Sequence, residues 1–201
     1  MDSELLFRIA TFILLGSMLV VRVYFSKRVL QAGEALMPDR EAIKHEGVGL
    51  FALRVVMFFI LIAVLVLYAI NHPWMQALAF QLPDWLRGLG FIIGLFSIAL
   101  VVWAQVDLGK QFSPQLQLRQ EHHLVTSGPY ARVRHPLYTG LYAFGLSMAL
   151  VSANWFFVFF FVISLVGIAA RVPREEQMML EQFGDEYREY IQRTGRYVPK
   201  V

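Results

Sequence analysis

Residues 137–170 read LYTGLYAFGLSMALVSANWFFVFFFVISLVGIAA, an apolar stretch broken near its middle by Ser152-Ala153-Asn154. A spanning helix needs about 20 mainly apolar residues, so the stretch is long enough for two short passes of about 16 residues each. Backbone groups in lipid must be satisfied internally, and a closely packed helical hairpin meets that requirement. The stretch therefore predicts two short membrane helices joined by a tight turn.

Three further apolar stretches precede this hairpin, at about Leu5 to Tyr24, Leu50 to Ile70 and Leu86 to Val106. With 57% hydrophobic and 16% charged residues over 201 positions, the composition disfavours a soluble domain. We therefore expect an all-α, polytopic integral membrane protein with about five transmembrane helices. It is treated as a single membrane domain, residues 1–201. Three helices occupy residues 1–106, and residues 107–201 form the region with functional motifs, including the hairpin.

The charge distribution and the missing cysteines exclude several classes of function. Cysteine is absent, which rules out disulfides, thiolate metal sites and cysteine nucleophiles. The net charge of +3 comes from basic residues in loops beside apolar runs, where they orient a membrane protein, so no nucleic-acid partner is expected. Asp2 and Glu4 stand where a signal peptide has basic residues, so the first stretch is interpreted as a membrane helix.

Basic residues alternate between connections in a way that predicts the topology. The connection from Asn71 to Trp85 has no Lys or Arg, whereas the flanking connections and the tail are basic. The positive-inside rule then places the N-terminus outside and the C-terminus in the cytoplasm. The basic residues assigned to the cytoplasmic side are Lys27, Arg28, Arg40, Lys44, Lys110, Arg119, Arg132, Arg134, Arg171, Arg174, Arg188, Arg193, Arg196 and Lys200.

The tail from Pro173 to Arg193 carries apolar residues at helical spacing, with Glu, Arg and Gln between them. It predicts a cytoplasmic amphipathic helix that lies against the membrane or the helix bundle. The apolar positions are Met179, Phe183, Tyr187 and Tyr190 or Ile191.

The glycines before the hairpin do not form a nucleotide-binding motif. Gly88, Gly90 and Gly94 follow no strand and have the wrong spacing for a dinucleotide fingerprint. Gly90-x-x-x-Gly94 is more typical of a close contact between membrane helices. The chain also lacks a Walker-type loop and a Gly-x-Ser-x-Gly elbow.

Polar residues gather at the entrance of the hairpin. Pro136 suits the first turn of a helix, where its missing N–H costs little, so Arg134, His135 and Tyr138 surround a helix N-terminus that favours an anionic group. The alternative is a basic anchor at the membrane interface. A metal site is not expected, because no carboxylate stands at a ligand spacing from the histidines.

Arg171 and Glu175 follow the hairpin and are four residues apart, so they share a helix face and can pair. A structural salt bridge at the membrane edge is one interpretation. The other is a functional site, because ionisable residues at membrane depth usually face a cavity or a partner. The hairpin returns the chain to its starting side, so this pair is expected to lie near Arg134, His135 and Tyr138.

Four motifs occur together in the C-terminal half: Leu124-Val125-Thr126-Ser127-Gly128-Pro129-Tyr130, Arg134-His135-Pro136-x-Tyr138-x-Gly140, Glu175-Glu176 and Phe183-Gly184-x-x-Tyr187. In this order, with a hairpin between them, they resemble the isoprenylcysteine carboxyl methyltransferase family, within the wider group that includes membrane phospholipid methyltransferases. The N-terminal half is similar only in consisting of membrane helices.

The resemblance implies an S-adenosylmethionine-dependent methyltransferase with a cytoplasmic active site. Its acceptor would be the carboxylate of a prenylated cysteine or a similar lipophilic molecule that enters from the bilayer. Arg171 would hold this substrate, and Arg171 and Glu175 would form the catalytic pair. The implied cofactor pocket comprises Gln115, His122, His123, Leu124, Val125, Tyr130, His135, Pro136, Leu137, Tyr138 and Glu175, with no metal.

Three alternatives stay open at the level of the sequence. A phospholipid N-methyltransferase would need a base for the amine proton, either His135 or Glu176. A membrane reductase acting on a sterol-like lipid would prefer NADPH, and a non-enzymatic scaffold would bind neither cofactor. Helical phase favours Glu175 over Glu176 for the pocket, because Glu175 is the partner of Arg171.

Overall fold

The computed structural model describes residues 3–31, 48–109 and 124–200, and the regular elements in these ranges are helices. A 3₁₀ turn at Gly128–Ala131 precedes the hairpin. The helices, in chain order, are α1 (Ser3–Gln31), α2 (Val48–Ala69), the short α3 (Pro73–Ala77), α4 (Asp84–Leu108), α5 (Pro136–Ser152) and α6 (Trp155–Arg193).

In the described part of the chain, α1, α4 and α6 are long and apolar enough to cross a membrane. Two shorter apolar helices accompany them, α5 and the segment Phe58–Ala69 of α2. The three stretches that precede the hairpin are therefore helices, as predicted: α2 and α4 lie within two residues of the expected bounds, whereas α1 continues seven residues beyond Tyr24 to Gln31. The protein is a multi-pass membrane protein.

Small residues let α4 approach α5 closely. A Cβ atom on Gly90 would lie 2.6 Å from the Cβ of Leu150, and one on Gly94 would lie 2.5 Å from the Oγ of Ser147. Both distances are below 3.0 Å, so a Cβ atom at either position would displace the neighbouring atoms of the packed helices. The helix contact predicted from Gly90-x-x-x-Gly94 is confirmed, and its partner is the first helix of the hairpin.

The turn of the hairpin forms where it was predicted. Ala153 adopts the left-handed conformation (φ 47°, ψ 48°) at the end of α5. Asn154, which is 1% exposed, then caps α6 by accepting a hydrogen bond from the Phe156 N–H at 3.0 Å. Its amide also donates to the carbonyl of Met75 at 2.8 Å, which ties α3 to the turn.

A buried arginine joins three helices at this same end of the bundle. Arg87 is 2% exposed and pairs with Glu4 of α1 at 2.5 Å. Its Nε donates to the carbonyl of Val151 at 3.0 Å, near the end of α5. Its guanidinium lies 4.1 Å from the centre of the Phe7 ring. The helices are thus held together at the end of α5 that is remote from its polar N-terminus.

The tail helix expected from Pro173 is not a separate element. α6 runs through Pro173, and its helical geometry breaks at Gly184 instead (φ 52°, ψ −118°). Proline removes one backbone hydrogen bond but has a φ compatible with a helix, whereas a positive φ favours glycine. After the break, Tyr187 and Tyr190 are buried against the protein, and the Tyr190 hydroxyl donates to the Tyr130 carbonyl at 2.7 Å.

Candidate active site

The N-terminus of α5 is the point at which the polar residues converge. His135 precedes the helix, and Pro136 occupies its first turn and is buried. The apolar part of α6 ends at Ala170, so the polar residues of α6 begin at the same end of the hairpin. The predicted meeting of the two motif segments is confirmed by direct hydrogen bonds from Arg134 and Tyr138 to glutamates of α6.

Glu175 links the two helices of the hairpin. Its Oε1 accepts one hydrogen bond from the Tyr138 hydroxyl and one from the Nε of Arg171, each at 2.6 Å. The second bond is the predicted pair four residues apart on one helix. The side chain of Glu175 is 20% exposed and that of Arg171 40%. Both charged side chains of the pair are therefore partly exposed.

Glu176 has a different environment from its neighbour, because it is enclosed by cations. Its Oε1 accepts from the Nε of Arg134 at 3.0 Å, and both of its oxygens accept from the guanidinium of Arg196. The Nε2 of His135 lies 3.4 Å from the same Oε1. The side chain is only 10% exposed, so these contacts are largely shielded from water.

Burial alone would raise the pKa of Glu176, but the hydrogen bonds from His135, Arg196 and Arg134 outweigh it and lower this pKa to about 2. The hydrogen bond with Glu176 in turn raises the pKa of Arg196. Glu176 is therefore a permanent anion that organises its neighbours, and it is poorly suited to accept a proton during a reaction.

The ring of His135 stands between the two glutamates. Its Nδ1 lies 3.9 Å from Glu175 Oε2, while its Nε2 faces Glu176. The ring stacks on that of Tyr138, with centroids 5.6 Å apart and an interplanar angle of 21°. Any displacement of this ring therefore affects both Tyr138 and the carboxylate that Tyr138 contacts.

The 3₁₀ turn lies beside this cluster. Tyr130 is 8% exposed, and its pKa is raised mainly by burial. The nearby Tyr190, Asp107 and Glu175 raise this pKa further. Gly128 has φ 51°, and a Cβ atom there would lie 1.5 Å from Asp107 Oδ2. The turn thus needs glycine for its backbone conformation and for its close approach to α4.

The structure brings together six of the residues singled out from the sequence: Arg134, His135, Tyr138, Arg171, Glu175 and Glu176. Tyr130, Pro136 and Leu137 lie in the adjoining turn and helix start, while Leu124 and Val125 are half-buried at the beginning of the described segment. Gln115, His122 and His123 lie outside the described residues. Among the residues that are described, no three His, Asp or Glu side chains gather as they would around a metal ion. A site without metal stays a prediction.

Sequence reasoning missed the part of the cluster formed by the C-terminal residues. The sequence indicated Arg196 only as one of the basic residues on the cytoplasmic side of the membrane, and it gave no role to Thr194 or Tyr197. The Nη1 of Arg134 donates to the carbonyl of Thr194 at 2.6 Å, and the Oγ1 of Thr139 donates to the carbonyl of Tyr197 at the same distance. These contacts join positions about 60 residues apart, which no local spacing reveals.

Fold and site together define a multi-pass helical membrane protein with a polar cluster at the entrance of an apolar hairpin. Its fold is similar to that of a solved eukaryotic intramembrane Ras methyltransferase, ICMT, with a TM-score of 0.57 at 20% identity; the similarity covers 96% of this chain and 68% of that one. Residues 89–181 match the isoprenylcysteine carboxyl methyltransferase (ICMT) family. The family resemblance indicated by the motifs is thus confirmed for this segment, which contains the hairpin and both glutamates.

Two relatives that are named as protein-S-isoprenylcysteine O-methyltransferases are moderately similar to this chain in sequence. Protein-S-isoprenylcysteine O-methyltransferase B of Arabidopsis thaliana is 31% identical over 120 residues, 58% of this chain and 61% of the relative. The protein-S-isoprenylcysteine O-methyltransferase of Schizosaccharomyces pombe is 33% identical over 103 residues, 49% of this chain and 43% of the relative. The chain therefore spans less than two thirds of the length of these relatives.

Proposed function

We propose that this chain is an S-adenosylmethionine-dependent carboxyl O-methyltransferase of the membrane. Its acceptor is the C-terminal carboxylate of a prenylated cysteine or a similar lipophilic molecule. The observation that carries the proposal is the Tyr138–Glu175–Arg171 cluster, which places a carboxylate and a guanidinium side by side at the end of an apolar hairpin. The names of the relatives point to the same reaction.

The residues around Glu175 fit a cationic, water-soluble donor. A carboxylate that is 20% exposed lies next to the stacked rings of His135 and Tyr138, and both carboxylates and aromatic faces attract cations. S-adenosylmethionine supplies a methyl group that is already activated on a positively charged sulfur. We assign its pocket to Gln115, the segment His122 to Val125, Tyr130, the segment His135 to Tyr138, and Glu175.

We assign the acceptor carboxylate to Arg171. Guanidinium groups bind carboxylates through two parallel N–H groups, a geometry that lysine does not reproduce. The hydrogen bond from Nε to Glu175 orients the plane of the guanidinium before the acceptor arrives. Because a carboxylate is already a nucleophile, the protein has to position and partly desolvate it, and no side chain has to remove a proton.

The enclosed state of Glu176 argues against an amine acceptor. A phospholipid N-methyltransferase needs a base, and a carboxylate with a pKa of about 2 that is held by two arginines is a weak one. His135 has one ring nitrogen directed at that same anion. The site therefore favours an acceptor that is ionised before it binds.

We further infer five passes, formed by α1, α2, α4, α5 and the apolar part of α6. With no Lys or Arg between Asn71 and Trp85, this arrangement puts the N-terminus outside and the cluster in the cytoplasm. The prenyl chain then enters between helices from the bilayer, and the donor enters from water. The end of α6 beyond Gly184 forms the cytoplasmic cap of the site.

Equilibrium binding to the detergent-purified protein tests the cofactor. We expect saturable binding of S-adenosylmethionine, no comparable binding of NADPH, and a marked loss of affinity in Glu175→Gln. Glu181→Gln is the matched control, because Glu181 is an exposed glutamate on the same helix that contacts Gln177. Binding of NADPH alone would favour the reductase, and binding of neither compound would favour the scaffold.

Transfer of a labelled methyl group tests the acceptor. We expect product from an N-acylated S-prenylcysteine and none from phosphatidylethanolamine. Arg171→Lys should raise the KM for the prenylcysteine while leaving the affinity for S-adenosylmethionine close to that of the wild type. Full transfer to the prenylcysteine by an Arg171→Ala variant would contradict the role assigned to this residue.

A further inference from the structure

The last described residues are not a loose tail but lie alongside the loop that leads into α5. The Gly195 N–H donates to the Arg132 carbonyl at 3.1 Å, and the Arg134 N–H donates back to the Gly195 carbonyl at 2.8 Å. The His135 N–H then donates to the Arg196 carbonyl at 3.1 Å. Three consecutive backbone hydrogen bonds thus fix the path of the chain immediately before the helix.

Arg196 and Tyr197 add side-chain contacts to this pairing. Arg196 binds both oxygens of Glu176, the anion that faces His135. The Tyr197 ring lies 6.2 Å from that of His135 and 5.3 Å from that of Tyr142, measured between centroids. His135 is therefore bounded by Tyr138 on one side and by Tyr197 on another, with Glu176 on its Nε2.

These contacts are directed at the site rather than at the apolar core. Arg196 is itself half exposed, with 49% of its side chain accessible, and it forms an ion pair with Glu176. The carbonyl of Tyr197 accepts from Thr139, in the first turn of α5. Arg196 thus contacts Glu176, the anion at His135 Nε2, and Tyr197 contacts the His135 ring itself.

We propose that the segment Thr194–Pro199 forms one wall of the donor site, in which Arg196 and Tyr197 are positioning residues that hold the His135 ring. They act through Glu176 and through ring contact, and neither touches the reacting atoms. The inference rests on the proposed function only for the identity of the donor. The placement of His135 by the C-terminal segment is a property of the protein alone.

The test uses the full chain and two readouts, the ring signals of His135 and the affinity for S-adenosylmethionine. The chain has five histidines, so the spectrum of protein labelled with ¹³C-histidine is simple, and His135→Gln assigns the signal. Arg196→Ala should shift this signal in the ligand-free protein and weaken S-adenosylmethionine binding about tenfold, the scale of one charged hydrogen bond. Arg188→Ala is the matched control, because Arg188 is exposed and forms its ion pair with Asp185, another exposed residue of α6.

Tyr197 provides an independent variant pair. Tyr197→Phe keeps the ring and should retain the wild-type His135 signal, whereas Tyr197→Ala should shift it. If Arg196→Ala does not fold, Arg196→Lys replaces it, since lysine keeps the charge but cannot reproduce both contacts to Glu176.

An unmoved His135 signal in the folded Arg196 and Tyr197→Ala variants would overturn the proposal. A shifted signal with unchanged affinity would also overturn it, because the wall would then have no effect on the donor. Absence of S-adenosylmethionine binding in the wild-type protein would refute the proposed function instead, and the ligand-free spectra would still decide whether the C-terminal segment places His135.

Discussion

Neutralising Glu176 should destabilise the protein by removing the anion from a buried cluster of cations. In Glu176→Gln, the guanidinium groups of Arg134 and Arg196 lose their shared counter-ion, although the side chain keeps its shape. The folded-state pKa of about 2, against an ordinary value of 4.5, corresponds to about 3 kcal/mol of stability at neutral pH. Removing one partner of a buried ion pair lowers the free energy of unfolding by a similar amount.

The sign of the pH dependence follows from this lowered pKa. Above pH 4.5 the carboxylate is ionised in both folded and unfolded protein, so its full contribution is present. As the pH falls from 4.5 towards 2, the unfolded chain takes up a proton first and the contribution is lost. The wild-type protein should therefore lose stability in this window, and Glu176→Gln should lack that component.

Thermal melting in detergent measures both effects. For a chain of this size, about 3 kcal/mol corresponds to a decrease in Tm of about 6–12 °C at pH 7. Asp185→Asn is the control, because its carboxylate is 89% exposed and its pair with Arg188 should be worth less than about 1 kcal/mol. If Glu176→Gln melted like the wild type at pH 7, the reasoning about this cluster would be refuted.

Three further substitutions test the packing that positions the site. Gly94→Val should destabilise the protein by about 1–3 kcal/mol, because its Cβ would overlap Ser147 and Leu14. Gly16→Val is the control, because a Cβ at Gly16 meets nothing within 4 Å. Equal melting temperatures for the two variants would contradict this packing. Asn154→Ala should cost about 2 kcal/mol through loss of the α6 cap and of the bond to the Met75 carbonyl. Asn154→Ser, which supplies a hydroxyl for the cap, should cost less by the same melting assay. Gly128→Ala should lower the melting temperature more than Gly109→Ala. Both glycines have a positive φ, but only Gly128 also approaches Asp107. A larger effect at Gly109 would disprove this account of the turn.

The helices and the hairpin were predictable because membrane insertion depends on local properties. The length of an apolar run and the need to satisfy its backbone decide where a helix can lie, and both are visible in residues 137–170. The turn at Ser152 to Asn154 and the contact face at Gly90 and Gly94 followed from equally local signals. Pro173 misled the prediction of the tail helix, because its φ is compatible with a helix and the geometry breaks at Gly184 instead.

The Arg171–Glu175 pair was predictable for the same reason, since residues four apart share a helix face whatever the rest of the chain does. Its meeting with Tyr138 followed from the hairpin, which returns the chain to its starting side. The sequence alone therefore determined the helical membrane class, the hairpin and the side of the protein on which the polar residues converge.

Helical phase favoured Glu175 for the pocket, but only the tertiary structure showed how different the surroundings of the two adjacent glutamates are. Glu175 is partly exposed beside Arg171, whereas Glu176 is enclosed by two arginines. Arg134 lies in the loop before α5, and Arg196 lies in the segment after α6. The partners of Glu176 lie 42 and 20 residues away, and their approach depends on how the segment after Thr194 pairs with the loop before α5. Contacts of this kind arise from the packing of whole elements, so no spacing within one helix encodes them.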